Sequence, residues 1–406
     1  MTDATEDGAF APEGHLEMAL SAITDLAAPQ QRYLDLIAGG GFEQPMEGVA
    51  LSFSRVNTDY VLRHHEQFSS VVDLGLGNIR PMIPLNVDPP MHSKYRKLLD
   101  PLFAPKRMDE QEDDITRRVN LFIDAFVDHG ECNFTEEFAE LFPSSVFLGL
   151  MGLPEDEMRM FLHMRDGVLH PQKWDEQAMF DGEARAKVMN AAGREIYDYF
   201  GNLVDERRRH PADDIITRFT VVEIDGEKLS RDEILDICYL FLIAGLDTVS
   251  DTLTCSYAFL ATHPAHRRMI VDDPSLIPTA VEELLRWESP VPTGVPRLAK
   301  CPVELPSGAH VAEGTMVMPN YGAANMDPAV YDDPLDVRFD REQNPHIAFG
   351  GGVHRCLGSH LARRELRITL REWHRRIPEY RIKPGHEQLE YPPGLRHVKD
   401  LTLTWP

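Results

Sequence analysis

The stretch FGGGVHRCLG, residues 349–358, sets one cysteine behind a glycine-rich approach and two positions before another glycine. Apolar residues recur at helical spacing over residues 362–377, so Cys356 is predicted to lie at the N-terminus of a helix. There the free N–H groups of Leu357 and Gly358 and the positive end of the helix dipole stabilise a thiolate over a thiol. A thiolate in this position can act as a nucleophile or bind a metal.

Other interpretations of this stretch stay open on the residues alone. His354 stands too close to Cys356 in the chain to be a well-placed base for a nucleophile, and no acyl-transfer motif accompanies the pair. Arg355 occupies the position where a phosphate-binding G-x-G-x-x-G loop that starts at Gly350 needs its last glycine. Metal ligation is therefore the best of the reactive interpretations, although a buried structural thiol is the default for a cysteine considered alone.

A second unusual stretch, AGLDTV at residues 244–249, lies within an apolar helical pattern. Glycine, aspartate and threonine each weaken a buried helix or compete for its hydrogen bonds. Thr248 follows Ala244 by four residues, so its hydroxyl can bond to the Ala244 carbonyl, and the small Ala244 and Gly245 let a flat ligand approach the backbone. Taken alone, the motif is better explained by a simple threonine back-bond beside a solvated Asp247.

The elements around this second stretch are predicted from local signals. Asp225 and Gly226 separate two short strand-like runs and predict a hairpin. Ser230 and Glu233 have the spacing of a capping box, and the helix that they begin is predicted to continue until Pro264. Such a helix would cross the whole molecule and carry AGLDTV at its middle.

The rest of the chain indicates one large domain over residues 1–406. We find no internal repeat, low-complexity tract or flexible linker. Helical patterns dominate residues 90–290, and the proline- and glycine-rich residues 289–358 predict short strands and coil. The longest apolar run, residues 237–246, is too short to span a bilayer.

Composition limits the possible partners and the compartment. The formal net charge of −25 disfavours nucleic acid and anionic membranes, although a local basic patch can still bind an acidic partner. The five cysteines include no C-x-x-C pair, which argues against zinc ribbons, iron–sulfur clusters and covalent haem attachment. The acidic N-terminal stretch MTDATEDGAF lacks the pattern of a secretory signal, so we expect a cytoplasmic protein.

Taken together, the motifs resemble those of the cytochrome P450 monooxygenases. FGGGVHRCLG resembles their haem-binding loop, AGLDTV is similar to their oxygen-activating segment, and EELLR carries their E-x-x-R motif, in the same order along the chain. The resemblance begins at about DPPMHSKYR, residues 88–96, and LARRE adds a closer likeness to soluble bacterial enzymes that hydroxylate camphor and other terpenoids. It implies a mostly α fold with a smaller β region and a long central helix over haem.

The resemblance also implies roles for single residues. Cys356 would be the axial thiolate ligand of the haem iron, with Phe349, Gly358, Ala244 and Gly245 against the ring. The haem propionates would be bound by His92, Arg96, Arg297 and His354, and protons would be guided by Asp247 and Thr248. Glu283, Arg286 and Arg338 would form a structural ion cluster, although an ordinary surface ion pair explains the first two equally well. The substrate pocket would be lined by Ile83, Leu85, Leu240, Ile243, Val295 and Leu395.

The activity implied by the resemblance is insertion of one oxygen atom of O2 into a C–H bond, or a C=C bond, of a small to medium hydrophobic molecule such as a terpenoid, steroid or fatty acid. Haem b is the implied cofactor, and NAD(P)H-derived electrons would come from a ferredoxin, of the 2Fe–2S kind, and its reductase. A basic patch of Lys94, Lys97, Lys106 and Arg107 is predicted to dock the ferredoxin. We expect a monomer. A haem-thiolate sensor without turnover is the alternative, but a sensor has no need of Asp247 and Thr248.

Overall fold

The computed structural model describes residues 27–224 and 226–406, so the acidic N-terminal stretch and Asp225 of the predicted hairpin lie outside the described residues. As expected, helices predominate, and no helix of the described part is long and apolar enough to cross a membrane. The α-helices are α1 (Gln30–Ala38), α2 (Arg55–Arg63), α3 (Met91–Leu99), α4 (Pro105–Asp109), α5 (Glu112–Asp124), α6 (Leu141–Met151), α7 (Met158–Leu169), α8 (Gly182–Arg209), α9 (Ile215–Val221), α10 (Arg231–Gly245), α11 (Thr248–Thr262), α12 (Pro264–Asp272), α13 (Ile277–Glu288), α14 (Tyr321–Ala324) and α15 (Ser359–Arg376).

The strands are short and form small sheets beside the helices. They are β1 (Phe42–Met46), β2 (Val49–Ser52), β3 (Phe68–Ser69), β4 (Glu131–Asn133), β5 (Glu223–Ile224), β6 (Glu227–Lys228), β7 (Arg297–Ala299), β8 (Val303–Glu304), β9 (His310–Val311), β10 (Met316–Pro319), β11 (Arg381–Ile382) and β12 (Thr402–Thr404). The largest sheet has the order β1-β2-β10-β7-β3, with β2 and β10 parallel. Antiparallel pairing of β5 with β6 confirms the predicted hairpin strands.

The central helix begins as predicted but is not continuous. The Ser230 hydroxyl accepts a hydrogen bond from the Glu233 N–H, and the Glu233 carboxylate accepts one from the Ser230 N–H, which completes the capping box. The prediction of one helix up to Pro264 is wrong, because α10 ends at Gly245 and α11 begins at Thr248. The Thr248 hydroxyl donates to the Ala244 carbonyl at 3.2 Å, which takes that acceptor from the regular helical ladder.

Helix α15 follows the Cys356 loop, as the apolar spacing predicts. The residues predicted for its inner face are Ala362, which is half-buried, and Leu366, Leu370, Trp373 and Ile377, which are buried. Trp373 is fully buried, and its ring centroid lies 5.1 Å from that of Tyr257 on α11. Aromatic pairs at this separation are favourable beyond their buried area. The contact holds the helix after the cysteine loop against the second half of the central helix.

A buried ion cluster fixes the coil that leads into the cysteine loop. Glu283 and Arg286 are both fully buried and make two hydrogen bonds, at 2.7 and 2.8 Å. Glu283 also accepts from Arg341 Nε at 3.3 Å and from Asn344 Nδ2 at 2.9 Å. Burial raises the pKa of Glu283, but the Arg286 guanidinium and these donors outweigh it and lower the pKa below its usual value. Both are therefore charged inside the protein.

The expectation that the Arg338 side chain joins Glu283 and Arg286 in this cluster is wrong. The Arg338 main-chain N–H donates to Glu283 at 2.9 Å, while its guanidinium lies 3.5 Å from Asp340 and is partly exposed. The guanidinium that reaches Glu283 is that of Arg341. A turn between the two residues, closed by the Arg341 N–H to the Arg338 carbonyl, brings the later side chain back toward Glu283.

The cluster predicts a large effect of Glu283→Ala on stability. The change leaves the Arg286 and Arg341 guanidinium groups without their carboxylate, which costs about 3–5 kcal/mol for a buried pair. Glu342→Ala, a change at an exposed neighbour, should stay within about 0.5 kcal/mol of the wild type. Urea unfolding of the three proteins measures the difference. Equal stability of the two variants would contradict a structural role for the cluster.

Candidate cofactor and active site

The Cys356 loop owes its shape to glycines. Gly350 and Gly352 have φ angles of 66° and 63°, in the left-handed region that other residues avoid. A Cβ at Gly352 would also collide with the main-chain carbonyl of Leu62. The loop closes through a hydrogen bond from the Cys356 N–H to the Phe349 carbonyl, at 2.9 Å. The Phe349 ring is half-buried.

The environment of the Cys356 thiol only partly matches the prediction. Gly358 is the cap of α15, so Cys356 lies just outside the helix rather than in its first turn. Its thiol is accessible by surface area, yet the surrounding protein desolvates it enough to raise its pKa. The Gly358 N–H and the charges of Arg96, Arg355 and Arg363 lower the pKa without cancelling that effect. A further positive partner is therefore needed to stabilise the thiolate form of Cys356. A metal ion can be that partner, because it deprotonates a thiol that coordinates it.

The predicted propionate ligands lie together. The rings of His92 and His354 are 4.1 Å apart, and Arg96 donates to the Arg355 carbonyl beside them. His92 is buried, and neither of its ring nitrogens, nor His354 Nε2, has a hydrogen-bond partner among the described residues. Burial, followed by Arg96, lowers the pKa of His92 to about 4. Burial, followed by Arg297 and His92, lowers that of His354 to about 2.

Arg297 completes this group of donors. It is 3% exposed, and its guanidinium donates to the main-chain carbonyls of Val295 and Pro296. In the described part of the chain no carboxylate forms an ion pair with it. Buried cations and buried unbonded ring nitrogens are stabilised by a ligand that brings carboxylates. Together with an accessible thiol on a glycine loop, this donor set fits haem, with its two propionates and its iron.

The predicted site residues on the central helix meet different neighbours. Ala244 is exposed and Gly245 is half-buried at the end of α10. The expectation that Gly245 clears space for a flat ligand needs correction, because a Cβ there would lie 2.6 Å from the Phe147 ring. Gly245 is therefore required for packing against α6. Ala244, whose carbonyl accepts from Thr248, is the position at which a ligand can approach the backbone.

Asp247 is not the solvated aspartate of the simpler explanation. It is 4% exposed and lies 3.2 Å from Arg165 Nη1 and 2.8 Å from His170 Nε2. Burial alone raises its pKa, but the charge of Arg165 and the His170 hydrogen bond outweigh burial and hold the pKa well below its usual value. Sequence reasoning missed both partners. A charged arginine within the apolar pattern of α7 was the available signal.

The candidate pocket residues divide into two groups. Ile83 and Ile243 are buried in the main core, and Leu85 and Leu240 pack partly buried against the same core. Val295 and Leu395 are half-buried outside it. Ile83, Ile243, Leu85 and Leu240 therefore all contribute to core packing. Leu85 and Leu240, which are partly exposed, can also contact a ligand.

The comparisons with known proteins agree with this geometry. Residues 83–386 match the Cytochrome P450 family. Probable cytochrome P450 127A1 of Sinorhizobium fredii is 35% identical, over 85% of this chain and 80% of the relative. A steroid C26-monooxygenase of Mycolicibacterium smegmatis is 33% identical, over 79% of this chain and 78% of the relative. The crystal structure of CYP109E1 from Bacillus megaterium with testosterone superposes with a TM-score of 0.81 at 28% identity, over 93% of this chain and 99% of that one.

The chain therefore belongs to the cytochrome P450 family. The expected fold class is confirmed, as is the enzyme class, a P450 monooxygenase among the oxidoreductases. Family membership implies haem as the cofactor.

A cysteine replacement tests the ligand assignment. The ferrous, carbon monoxide-treated wild type should give the absorption band for which the family is named, because that band reports thiolate ligation. Cys356→His should retain haem but move the band to shorter wavelength. Cys301→Ser, at a half-buried cysteine of a different loop, should leave it in place. An unchanged band in Cys356→His would show that another residue holds the iron.

Proposed function

We propose that this P450 hydroxylates apolar molecules of steroid or terpenoid size, with electrons delivered by a ferredoxin and its reductase. The observation that carries the proposal is the chemistry of the partly exposed candidate pocket residues, all of which are aliphatic. Leu85, Leu240, Val295 and Leu395 are only partly buried, and each is aliphatic, as an apolar ligand requires. The name of one relative as a steroid C26-monooxygenase and the testosterone complex of a structural neighbour favour a steroid-sized substrate.

The proposed roles of the cofactor residues follow from their donors. When bound, haem supplies the iron that activates O2. Cys356 would hold the iron from the side of α15, and Phe349 would cover that side of the ring. His92, Arg96, Arg297 and His354 would neutralise the propionates, and Ala244 and Gly358 would border the ring.

Asp247 and Thr248 would deliver protons on the side of the haem opposite Cys356. The Thr248 hydroxyl donates to Ala244 at the break in the central helix, so it can turn toward a ligand without breaking a regular helical bond. Asp247 is an anion held by Arg165 and His170. A proton that reaches Asp247 weakens its ion pair with Arg165 and its hydrogen bond with His170, which frees the carboxyl group to move toward Thr248.

We propose that residues 1–406 form one domain, because a single core cluster includes residues from Met82 to Leu403. The monomeric state and the cytoplasmic location stay predictions.

Thr248→Ala tests the function together with its proton delivery. With a surrogate ferredoxin and reductase, the wild type should turn testosterone or a monocyclic terpenoid into hydroxylated product in step with NADH consumed. Thr248→Ala should consume NADH but release hydrogen peroxide. Thr252→Ala is the matched control, since Thr252 makes the same kind of back-bond one turn later, to the Thr248 carbonyl at 2.7 Å. Absence of product from the whole panel would overturn the proposed substrate class.

The predicted docking patch contains more acid than its sequence suggests. Asp100 pairs with Arg96, Glu110 pairs with Arg107, and Glu112 pairs with Arg364 and Arg371 of α15. Lys97, Lys106 and Arg355 are exposed and form no ion pair within the described part of the chain. The bond from Arg96 to the Arg355 carbonyl links α3 to the cysteine loop, so these cations border one face.

Charge reversal on this face should slow reduction by an acidic ferredoxin. Lys97→Glu and Arg355→Glu should lower the association rate at low salt and make it less sensitive to salt, because exposed charges are screened over about 10 Å at 0.1 M. Lys399→Glu, on the C-terminal segment, is the charge-matched control. Stopped-flow reduction at two salt concentrations measures the rates. Equal rates in all four proteins would exclude the face as the docking site.

A further inference from the structure

Asp251 is a buried carboxyl group to which the proposed mechanism assigns no role. It lies one helical turn after Asp247 in α11, and its N–H donates to the Asp247 carbonyl. Residues four apart in a helix are neighbours on one face. Both side chains are 4% exposed. Two carboxyl groups thus lie side by side inside the protein.

The two groups differ in their partners. The Asp247 carboxylate is bonded to Arg165 and His170. Among the described residues, Asp251 Oδ2 is buried without a hydrogen-bond partner, and Oδ1 lies 3.9 Å from His397 Nδ1. That nitrogen is already within hydrogen-bond distance of the Leu395 carbonyl, at 3.0 Å. A carboxylate buried without donors is strongly destabilised, whereas a protonated carboxyl is not.

The charges that face Asp251 add to this difference. They come from Arg165 on α7, Lys173 after that helix and Glu140 before α6, while the His397 imidazole, whose pKa burial lowers, lies 3.9 Å from Asp251. After burial, the negative charge of Asp247 is the largest cause of the raised pKa of Asp251, and Arg165 lowers it less. Neighbouring carboxyl groups in one site share a proton, which resides on the group with the poorer donors.

We propose that Asp251 holds a proton at neutral pH and is the positioning residue that resupplies it to Asp247. In the transfer, the Asp251 O–H bond breaks and an O–H bond forms on Asp247, which loses its charge. Asp251 becomes the anion and regains a proton from solvent by way of His397, whose side chain is 16% exposed. The His397 and His170 ring centroids are 6.0 Å apart. The proposed proton path, from His397 through Asp251 to Asp247, therefore stays within one group of neighbouring residues. The inference rests on the proposed proton delivery through Asp247 and Thr248.

Infrared difference spectroscopy tests the protonation without turnover. The wild type at neutral pH should show the C=O band of a protonated carboxyl that shifts in D2O and is absent from Asp251→Asn. Glu365→Gln is the matched control, because Glu365 is a second buried carboxyl in the described part of the chain whose pKa burial raises well above its usual value. It should remove a separate band. Identical spectra for wild type and Asp251→Asn would show that Asp251 is ionised, which overturns the proposal.

The pH dependence of stability gives the same test a second readout. An aspartate whose folded pKa is raised stabilises the fold less and less as the pH rises above its unfolded pKa of about 3.9. The asparagine of the Asp251→Asn variant does not ionise. The melting temperature of the variant, relative to that of the wild type, should therefore rise between acid and neutral pH. A loss instead of a gain would mean that the folded pKa is lowered and would overturn the proposal.

Turnover then tests the role. Asp251→Asn keeps the shape of the side chain but cannot release a proton, so product formation should fall toward the about 10²-fold loss expected for a missing proton donor, with haem content unchanged. Asp251→Glu should recover part of it. An unchanged rate and pH profile in Asp251→Asn would overturn the resupply step. Absence of product from the wild type as well would count against the proposed function, while the infrared result on Asp251 would stand.

Discussion

A thiol that is desolvated by the surrounding protein resists ionisation, and the groups around Cys356 partly oppose that effect. Burial raises the thiol pKa, while the Gly358 N–H and three arginines lower it without removing the effect. If Cys356 is the haem ligand, as we propose, the loop would hold its sulfur in one place and the metal ion would complete the deprotonation. Two glycines with left-handed angles set the loop, Trp373 fixes the helix after it, and the Glu283 cluster fixes the coil before it.

The same balance between burial and charge recurs at each part of the site. The chain carries a formal net charge of −25, yet Arg96 and Arg297 lie beside His92 and His354, and of the two arginines only Arg96 has a carboxylate partner, Asp100, within the described residues. The two histidines have lowered pKa values because burial and neighbouring cations disfavour further charge. A ligand with carboxylates relieves that repulsion. Arg165 and the His170 hydrogen bond keep Asp247 anionic. In the proposed function, cationic residues thus bind the propionates and an anionic residue takes part in proton delivery.

The break in the central helix joins packing and chemistry. Leu246 and Asp247 belong to neither helix. At this break the Thr248 hydroxyl bonds to the Ala244 carbonyl, and the Asp247 carboxylate reaches Arg165 of α7. Gly245 shows that packing decides part of this arrangement, since its missing side chain makes room for Phe147 rather than for a ligand. After the break, regular helix spacing places Asp251 one turn from Asp247, and of the two carboxyl groups only Asp247 is bonded to Arg165.

The sequence by itself determined what depends on near neighbours in the chain. The capping box at Ser230, the hairpin strands, the apolar face of α15, the back-bond of Thr248 and the pairing of Glu283 with Arg286 all involve residues a few positions apart, and each follows from local spacing. The family also follows from short motifs. Tertiary structure decided the contacts between distant segments: Arg341 in place of Arg338, Phe147 against Gly245, and Arg165 and His170 on Asp247. These depend on which helices pack together and how the coil turns, and no local pattern encodes that. Burial shifts the pKa of each of these groups, and at Asp247 and Glu283 charged partners outweigh it; both effects are properties of the folded chain.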